Sequence, residues 1–311
     1  MGGLPDVSII VVSYNTREMT LECLRSVIAE TNGAFELIVV DNVSTDGSAE
    51  AISKEFPDIT LMKESENHGF AKANNIAAEH AKGEYVLLLN PDTIVLDGAI
   101  DRLLEFARRR PNAGIWGGRT LYGDRSLNPT SCWRRLSLWN IFCRTSGLTG
   151  LFPNSDLFNA EAYGGWDRSA ERDVDIVTGC FLLIKREDWN KLGGFDLDFF
   201  MYGEEADLCL RAARELGAKP RMTPDATIVH YGGASEKVRS DKMVRLLRAK
   251  TELIKRHVPG WQRPFARGLF RAWPITRLMA FQIIRRNTDN ATVWREIWNR
   301  RKEWQSGYTA D

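Results

Sequence analysis

Val7-Ser8-Ile9-Ile10-Val11-Val12-Ser13-Tyr14-Asn15 is the stretch on which the fold turns. An apolar run this rich in β-branched residues, closed by polar ones, reads as a strand buried on both faces. It predicts a strand over Val7–Val12, then a helix from about Arg17 to Glu30 and a second buried strand at Phe35–Val40. The alternation continues outward with a helix near Ser48–Phe56, a short strand around Ile59–Lys63, a helix over Ala71–Ala81 and the run Tyr85–Leu89. Strands separated by helices of this length imply an α/β fold, Rossmann-like, with a mostly parallel sheet flanked by helices and right-handed crossovers. Ligands of such sheets bind beyond the carboxyl ends of the strands. Three polar clusters stand there: Ser13-Tyr14-Asn15, Asp41-Asn42 and Asn90-Pro91-Asp92.

Between about Leu121 and Arg172 the chain is rich in Trp, Pro, Gly and Asn without clear periodicity, and is expected to be a functional loop region. Val174–Lys185 reads as a buried strand, followed by a Gly193-Gly194 turn, a helix near Glu204–Leu216 and a strand at Ala226–Val229. The expected division is a domain over 1–235 and a basic, Trp-rich helical tail over 236–311.

The chain has 311 residues and 43% hydrophobic content, enough for a full core. Its net charge of +1 hides an asymmetry: residues 235–311 hold 18 Lys and Arg against 7 Asp and Glu, leaving 24 and 34 for the rest. Such a split marks a tail that meets anionic material or a solvated helical face. Five scattered cysteines without a C-x-x-C pair argue against a disulfide framework and suit a cytoplasmic setting. No apolar run reaches eighteen residues, and no charged leader precedes the first one, so membrane spanning and secretion are both disfavoured.

Asp41 ends a strand, where a carboxylate can accept a hydrogen bond from a nucleobase imide or a ribose hydroxyl. Asp46 reads as a helix cap. Asp92 is held at the mouth of the sheet by a buried strand and a rigid proline, a suitable place for Mg²⁺ or Mn²⁺, which take oxygen ligands and complete their shells with phosphate and water. Glu204, Glu205 and Asp207 crowd the start of a helix. The helix dipole alone would favour acids there, but the aromatic run Phe199-Phe200-Met201-Tyr202 before them could tune a carboxylate towards general base work. His230, read alone, is a structural residue at a strand end. Thr178, Gly179 and Trp166 join Glu204 and Asp207 as candidates for acceptor contact or support.

Five blocks then match one pattern in order: Asp41 to Ser48, Asn67-His68-Gly69-Phe70-Ala71-Lys72-Ala73-Asn74-Asn75, Leu88 to Asp92, Gly193 to Asp196 with Phe199 to Tyr202, and Glu204 to Arg211. Together, over about residues 6–235, the chain resembles the family 2 inverting glycosyltransferases, closest to their rhamnosyltransferase-like branch. The resemblance implies a GT-A fold and inversion at the anomeric carbon. It makes Asp41 a contact to the base, with Ser13, Tyr14 and Asn15 lining the nucleotide pocket together with Asn42 and Asn90, and Asn74 or Asn75 at the ribose and donor sugar. Asp92 becomes the metal ligand, His230 a partner for metal or diphosphate, and Glu205 the catalytic base. Two departures stand out: Asn90 replaces the first acid of the D-x-D motif, and Glu205 stands where many relatives have Asp, which leaves Glu204, Glu205 and Asp207 in contention.

The implied donor is a nucleotide diphosphate sugar, dTDP-rhamnose first and UDP-sugars next. The implied acceptor is a lipid-linked or cell-surface glycan. A nicotinamide oxidoreductase is excluded at the first turn, where Ser13-Tyr14-Asn15-Thr16-Arg17 replaces G-x-G-x-x-G. A non-catalytic sugar-nucleotide-binding subunit of a membrane assembly is the alternative, and intact acids at Asp92 and Glu205 weigh against it. No nucleic-acid partner is expected. In the tail, Arg263, Arg267 and Arg271 share a helical face beside a stripe of Phe265, Leu269 and Trp273. These stripes suggest either an interfacial helix at the inner face of the cytoplasmic membrane or a packed or dimer-forming helix pair, with Pro274 ending or kinking the helix.

Overall fold

Val7–Ser13, seven residues that are all buried, form the first strand (β1) in the computed structural model, which describes residues 4–232, 239–284 and 288–308. Burial on both sides follows from alternation. Val7, Ile9 and Val11 share a core with Leu21, Leu24 and Val27 of helix α1 (Arg17–Glu30), while Ser8, Ile10 and Val12 are buried on the opposite face. Full burial of each large aliphatic side chain contributes roughly 1.5–3 kcal/mol. Strand β2 (Phe35–Asp41), helix α2 (Ser48–Glu55), strand β3 (Thr60–Lys63), helix α3 (Gly69–Glu79) and strand β4 (Tyr85–Leu89) complete the parallel half in the order β3-β2-β1-β4. The registers Ser13↔Asp41 and Val11↔Leu89 bring the strand ends to one edge.

The other half is mixed. Strand β5 (Thr93–Val95), helix α4 (Ala99–Arg109) and strand β6 (Ile115–Leu121) follow, then the two-residue strands β7 (Leu127–Asn128) and β8 (Cys132–Trp133). Helices α5 (Leu138–Ser146) and α6 (Leu148–Leu151) fall inside the stretch expected to be an irregular loop. A capping box at Ser137 and Asn140 starts α5, and the nine-residue helix is too short for its period to stand out among the surrounding turns. The expected strand at Val174–Lys185 is broken. After β9 (Arg172–Asp173), strand β10 (Ile176–Val177) pairs with β8 in a separate small sheet, and β11 (Phe181–Lys185) joins the main sheet antiparallel to both β4 and β6. The break lies at Thr178, whose N–H donates to Ser131 O at 3.1 Å, pulling the chain from one sheet to the other. Helices α7 (Arg186–Leu192) and α8 (Glu204–Glu215) precede β12 (Arg221–His230), which is longer than the expected Ala226–Val229 because it bends through an irregularity between Thr223 and Thr227.

The chain divides into two compact units, 1–133 with 167–235, and 134–166 with 236–311. The segment 134–166, expected in the first domain, therefore clusters with the tail. Recounted over these units, the sheet unit carries 21 Lys and Arg against 32 Asp and Glu, and the helical unit 21 against 9.

Helices α9 (Arg239–His257), α10 (Arg263–Ile284) and α11 (Thr288–Asn299) build the second unit with α5 around Ile141, Leu247, Ile254, Phe270, Trp273 and Trp304. Trp273 of the expected interfacial stripe lies in this core and Leu269 packs against it, so packing takes precedence over the membrane for both; Phe265 remains 64% exposed. Pro274 does not end α10. Proline removes a helical N–H, and side-chain hydroxyls serve nearby carbonyls: Thr145 Oγ1 donates to Leu269 O and Thr276 Oγ1 to Trp273 O. Residues Arg285 and Arg286, at the expected end of the apolar stretch, lie outside the described residues. No helix among the described residues is long and apolar enough to cross a membrane. All five cysteines are buried and unpaired.

Candidate active site

Each functional side chain sits at the carboxyl edge of the sheet because a strand ends there. Asp41, last in β2 and buried, accepts from the Ser44 N–H at 3.1 Å through Oδ2, while its Oδ1 is buried without a partner. The turn after it is strained, since Val43 holds φ 67°, a conformation β-branched residues avoid. Asn15 pins this turn, its N–H donating to Ser44 Oγ at 3.0 Å and its Oδ1 accepting from Thr45 N at 2.7 Å. Ser13 Oγ is turned inward to Thr20 Oγ1 at 3.0 Å, whereas Tyr14 is exposed at the rim. Asp46 accepts from Ser48 N and from Arg17 N, but the cap of α2 is Gly47, which has no side chain to close it, so Asp46 orders the turn before the helix and is not its cap.

The expected donor-contacting amides are mostly occupied by the protein. Asn42 accepts from His68 N at 2.9 Å and donates to Asn67 Oδ1 at 3.0 Å, so its side chain holds the turn into α3. Asn74 donates to Phe70 O, one turn back in its own helix. Asn75 hydrogen-bonds both backbone groups of Phe195, at 2.8 and 2.9 Å, clamping the loop before α8. These amides position the site. The Asn67-His68-Gly69 turn, noted in sequence only as a motif, ends in a glycine at φ 72° whose Cβ would meet Phe200 O at 2.6 Å. Only glycine allows that approach, and Phe70 N donates to the same oxygen at 3.0 Å.

Asn90, Asp92 and His230 converge because β5 pairs with β12, setting His230 opposite Thr93. His230 Nε2 lies 3.4 Å from Asp92 Oδ1 and 3.4 Å from Asn90 Nδ2, and Asn90 N donates to Cys180 O at 3.2 Å. Burial opposes ionisation of Asp92, yet the hydrogen bond and charge of His230 hold its carboxyl below the usual range. His230 is raised in turn: burial works against the imidazolium, and the Cys180 sulfur and the Asp92 carboxylate outweigh it. Cys180 is a neighbour that no sequence motif flagged. Among the described residues no three His, Cys, Asp or Glu side chains gather to hold a metal. Asp92 and His230 form a smaller O, N pair, with the Asn90 amide nitrogen beside the imidazole and its oxygen buried without a partner. It fits a hard divalent ion that takes its other ligands from diphosphate and water.

The start of α8 is delivered by two successive left-handed residues, Tyr202 at φ 72° and Gly203 at φ 89°. Its three acids then separate. Asp207 is paired with Arg211 Nε at 2.6 Å, and that guanidinium also donates to Leu192 O and Gly194 O at 2.7 Å. Asp207 is thus tied to Arg211, whose other N–H groups brace the turn at 192–194. Glu204 is buried and Glu205 partly exposed, each with one carboxylate oxygen lacking a partner. Burial first, then the charge of Glu205, raises Glu204 well above the ordinary carboxyl range. Burial likewise raises Glu205, against backbone N–H bonds at the helix start. Glu205 faces Gly179: a Cβ built there would touch Glu205 Cβ at 3.6 Å and the Phe70 ring at 3.6 Å. Gly179 thus flanks the acid from the sheet crossover, next to Thr178 in the chain, while Trp166, edge-on to Tyr163 at 5.8 Å, belongs to the second unit.

Acids with unpaired buried oxygens at the carboxyl ends of parallel strands mark a ligand site at the sheet edge of an α/β fold. Residues 8–189 match the family model described as glycosyl transferase family 2, and the chain belongs to that family: it is a glycosyltransferase. It is 28% identical over 234 residues, 72% of this chain and 75% of the relative, to the N-acetylglucosaminyl-diphospho-decaprenol L-rhamnosyltransferase of Mycobacterium tuberculosis. A mannosyltransferase from Pyrobaculum calidifontis, solved in complex with GDP-Man and Mn²⁺, superposes with a TM-score of 0.60 at 20% identity, covering 97% of this chain and 88% of that one. S. aureus TarS 1-349 gives 0.53 at 14% identity over 96% and 91%. Both likenesses bear on the fold, which is GT-A: a mostly parallel sheet flanked by helices, with a C-terminal helical region.

Proposed function

We propose that the chain transfers rhamnose from dTDP-rhamnose to a hydroxyl of a lipid-linked glycan, with inversion at the anomeric carbon. Glu205 carries this reading. Of the three α8 acids it is the one that is only partly buried as a residue, its Oε2 is enclosed without a partner, and that burial makes it a stronger base. Its carboxylate takes the proton of the acceptor hydroxyl as that oxygen bonds to the anomeric carbon, and the bond from that carbon to the diphosphate oxygen breaks, releasing the nucleoside diphosphate. Asp41 Oδ1 binds the base or ribose, and Asp92 and His230, with Asn90 beside them, would hold Mg²⁺ or Mn²⁺. When bound, the ion neutralises charge growing on the leaving group. The choice of donor and acceptor is supported by the similarity to the mycobacterial rhamnosyltransferase, and the acceptor would place the enzyme at the inner face of the cytoplasmic membrane.

Glu205→Gln is expected to lower transfer from dTDP-rhamnose to an N-acetylglucosaminyl-diphospho-lipid by about 10²–10⁴-fold, the usual contribution of a general base, with donor affinity unchanged and the fold retained. Equal loss in Glu204→Gln, or undiminished transfer in Glu205→Gln, would reject Glu205 as the base. Full activity after EDTA treatment would reject the metal role of Asp92.

A further inference from the structure

The helical unit leaves uncovered a group of large apolar side chains that its own core does not use. Helix α5 reads Leu-Trp-Asn-Ile-Phe-Cys-Arg-Thr-Ser. Its inward face is conventional, with Asn140, Ile141, Cys143 and Thr145 buried. Its outward face is not: Trp139 and Phe142, three residues apart and so neighbours on the helix surface, are 44% and 40% exposed. A helix apolar all round is ordinarily buried all round. Beyond α5, Leu151, Phe152 and Leu157 are exposed as well, at 72%, 47% and 59%.

Trp139, Phe142, Phe152 and Phe158 form one aromatic cluster, with Leu151 and Leu157 adjoining it in the chain. The Trp139 ring lies 5.7 Å from that of Phe142 and 6.3 Å from that of Phe158, which in turn lies 5.0 Å from that of Phe152. The Trp139 indole N–H donates to Leu157 O at 2.8 Å, tying the start of α5 to the far end of the segment. The patch is therefore preformed, and the rings gain part of their packing from one another.

The occupant is indicated by the chemistry around the patch. The unit that carries it has 21 Lys and Arg against 9 Asp and Glu, and it holds seven of the ten Trp residues. Arg135, one turn before Trp139, is exposed. Exposed Trp, Phe and Leu on a strongly cationic body match the two terms by which a protein lies on an anionic bilayer: burial of apolar side chains below the headgroups and attraction of cations to the surface. A protein partner of the same composition would be repelled by a net charge of this size, and that disfavours a second copy of the helical unit. We propose that Trp139, Phe142, Leu151, Phe152 and Leu157 form a wedge that seats the enzyme on an anionic lipid surface. The contact lies on α5 and the segment after it, instead of on the Arg263, Arg267, Arg271 face of α10. The inference rests on the proposed lipid-linked acceptor only for the purpose of the contact.

The test is vesicle co-sedimentation of the full chain without donor or acceptor, using phosphatidylcholine alone and phosphatidylcholine mixed with phosphatidylglycerol. Wild-type protein is expected to bind the anionic vesicles, more weakly at high salt. The double variant Leu151→Glu with Leu157→Glu is expected to bind at least about tenfold more weakly, and Trp261→Glu with Phe265→Glu to bind like wild type. Undiminished binding by the first variant, or loss confined to the second, overturns the proposal. So does a wild-type dimer that the first variant splits without any vesicle binding. If the first variant fails to fold, quenching of wild-type tryptophan fluorescence by brominated lipid, lost in Trp139→Phe, supports the wedge, and unchanged quenching in Trp139→Phe overturns it. Transfer to a water-soluble acceptor, measured alongside, reports on the enzymatic reading separately: its absence refutes that reading and leaves the lipid result standing.

Discussion

The two units treat their buried acids in opposite ways. In the helical unit Glu161 receives Arg144 Nη2 at 2.6 Å and Nε at 3.1 Å as well as Lys250 Nζ, and Glu252 receives Arg256 Nε at 2.8 Å and Tyr308 N at 2.9 Å. Burial opposes ionisation of Glu161, yet the two cations bring its carboxyl down to about 2. In the sheet unit Glu204, Glu205 and Asp41 each keep a carboxylate oxygen with no partner, and the two glutamates titrate high. Asp207, two residues further along α8, is paired with Arg211. A chain that matches its buried acids elsewhere, even within the same helix, leaves these three open where a ligand must complete them. Unpaired buried carboxylate oxygens are costly, and among the described residues they fall on Asp41, Glu204 and Glu205, the acids of the candidate site.

The contrast can be broken by experiment. The largest effect on stability is expected from Glu161→Ala, which leaves Arg144 and Lys250 facing each other without an acid and should cost about 3–5 kcal/mol in denaturant unfolding. A loss below about 1 kcal/mol would mean that the triad stabilises little. The two acids should also respond to pH with opposite sign. Glu161 is lowered relative to its unfolded value, so its contribution is present above the unfolded pKa and is lost as pH falls towards about 2. Glu204 is raised, so the folded state holds a proton that the unfolded state releases, and its contribution is complete below the unfolded pKa and lost as pH rises through the folded one. Glu204→Gln, which keeps the shape without the proton, should therefore be more stable than wild type at pH 8 and flatten the decline of melting temperature from pH 5 to 8; an unaltered profile would show that Glu204 does not stay protonated. The smallest effect concerns Val43, held at φ 67° beside Asp41. Val43→Asn, better suited to a left-handed conformation, should gain about 1 kcal/mol. If transfer falls as stability rises, the strain serves the site.

Much of this was legible in sequence wherever one physical signal acted alone. Apolar runs gave β1 and β4 nearly to the residue, and the helical period gave α1. Strand direction is not written in an apolar run, and β11 therefore turned out antiparallel within a sheet expected to be mostly parallel. The region from 121 to 172 hid α5 because its capping box and short length offer little periodicity. At the site, acids at strand ends could be read as an edge, whereas the fate of amides could not. Asn42 and Asn75 have the composition of ligand contacts, yet both are consumed by backbone groups 26 and 120 residues away. Asp207 is tied to Arg211 four residues on in its own helix, while the further bonds of that guanidinium to the turn at 192–194 are not visible in sequence spacing.

The clamp between Asn75 and Phe195 has an evolutionary consequence. It joins motif blocks 120 residues apart, and the chain between them leaves the sheet unit for the whole of 134–166 before returning. Because the blocks are registered by hydrogen bonds and not by the length of the intervening chain, that excursion can be lengthened, shortened or exchanged in a lineage without moving the acids. Diversification can therefore proceed by grafting new excursions onto the same edge, and chimaeras joined near 133 and 167 are the natural way to retrace it.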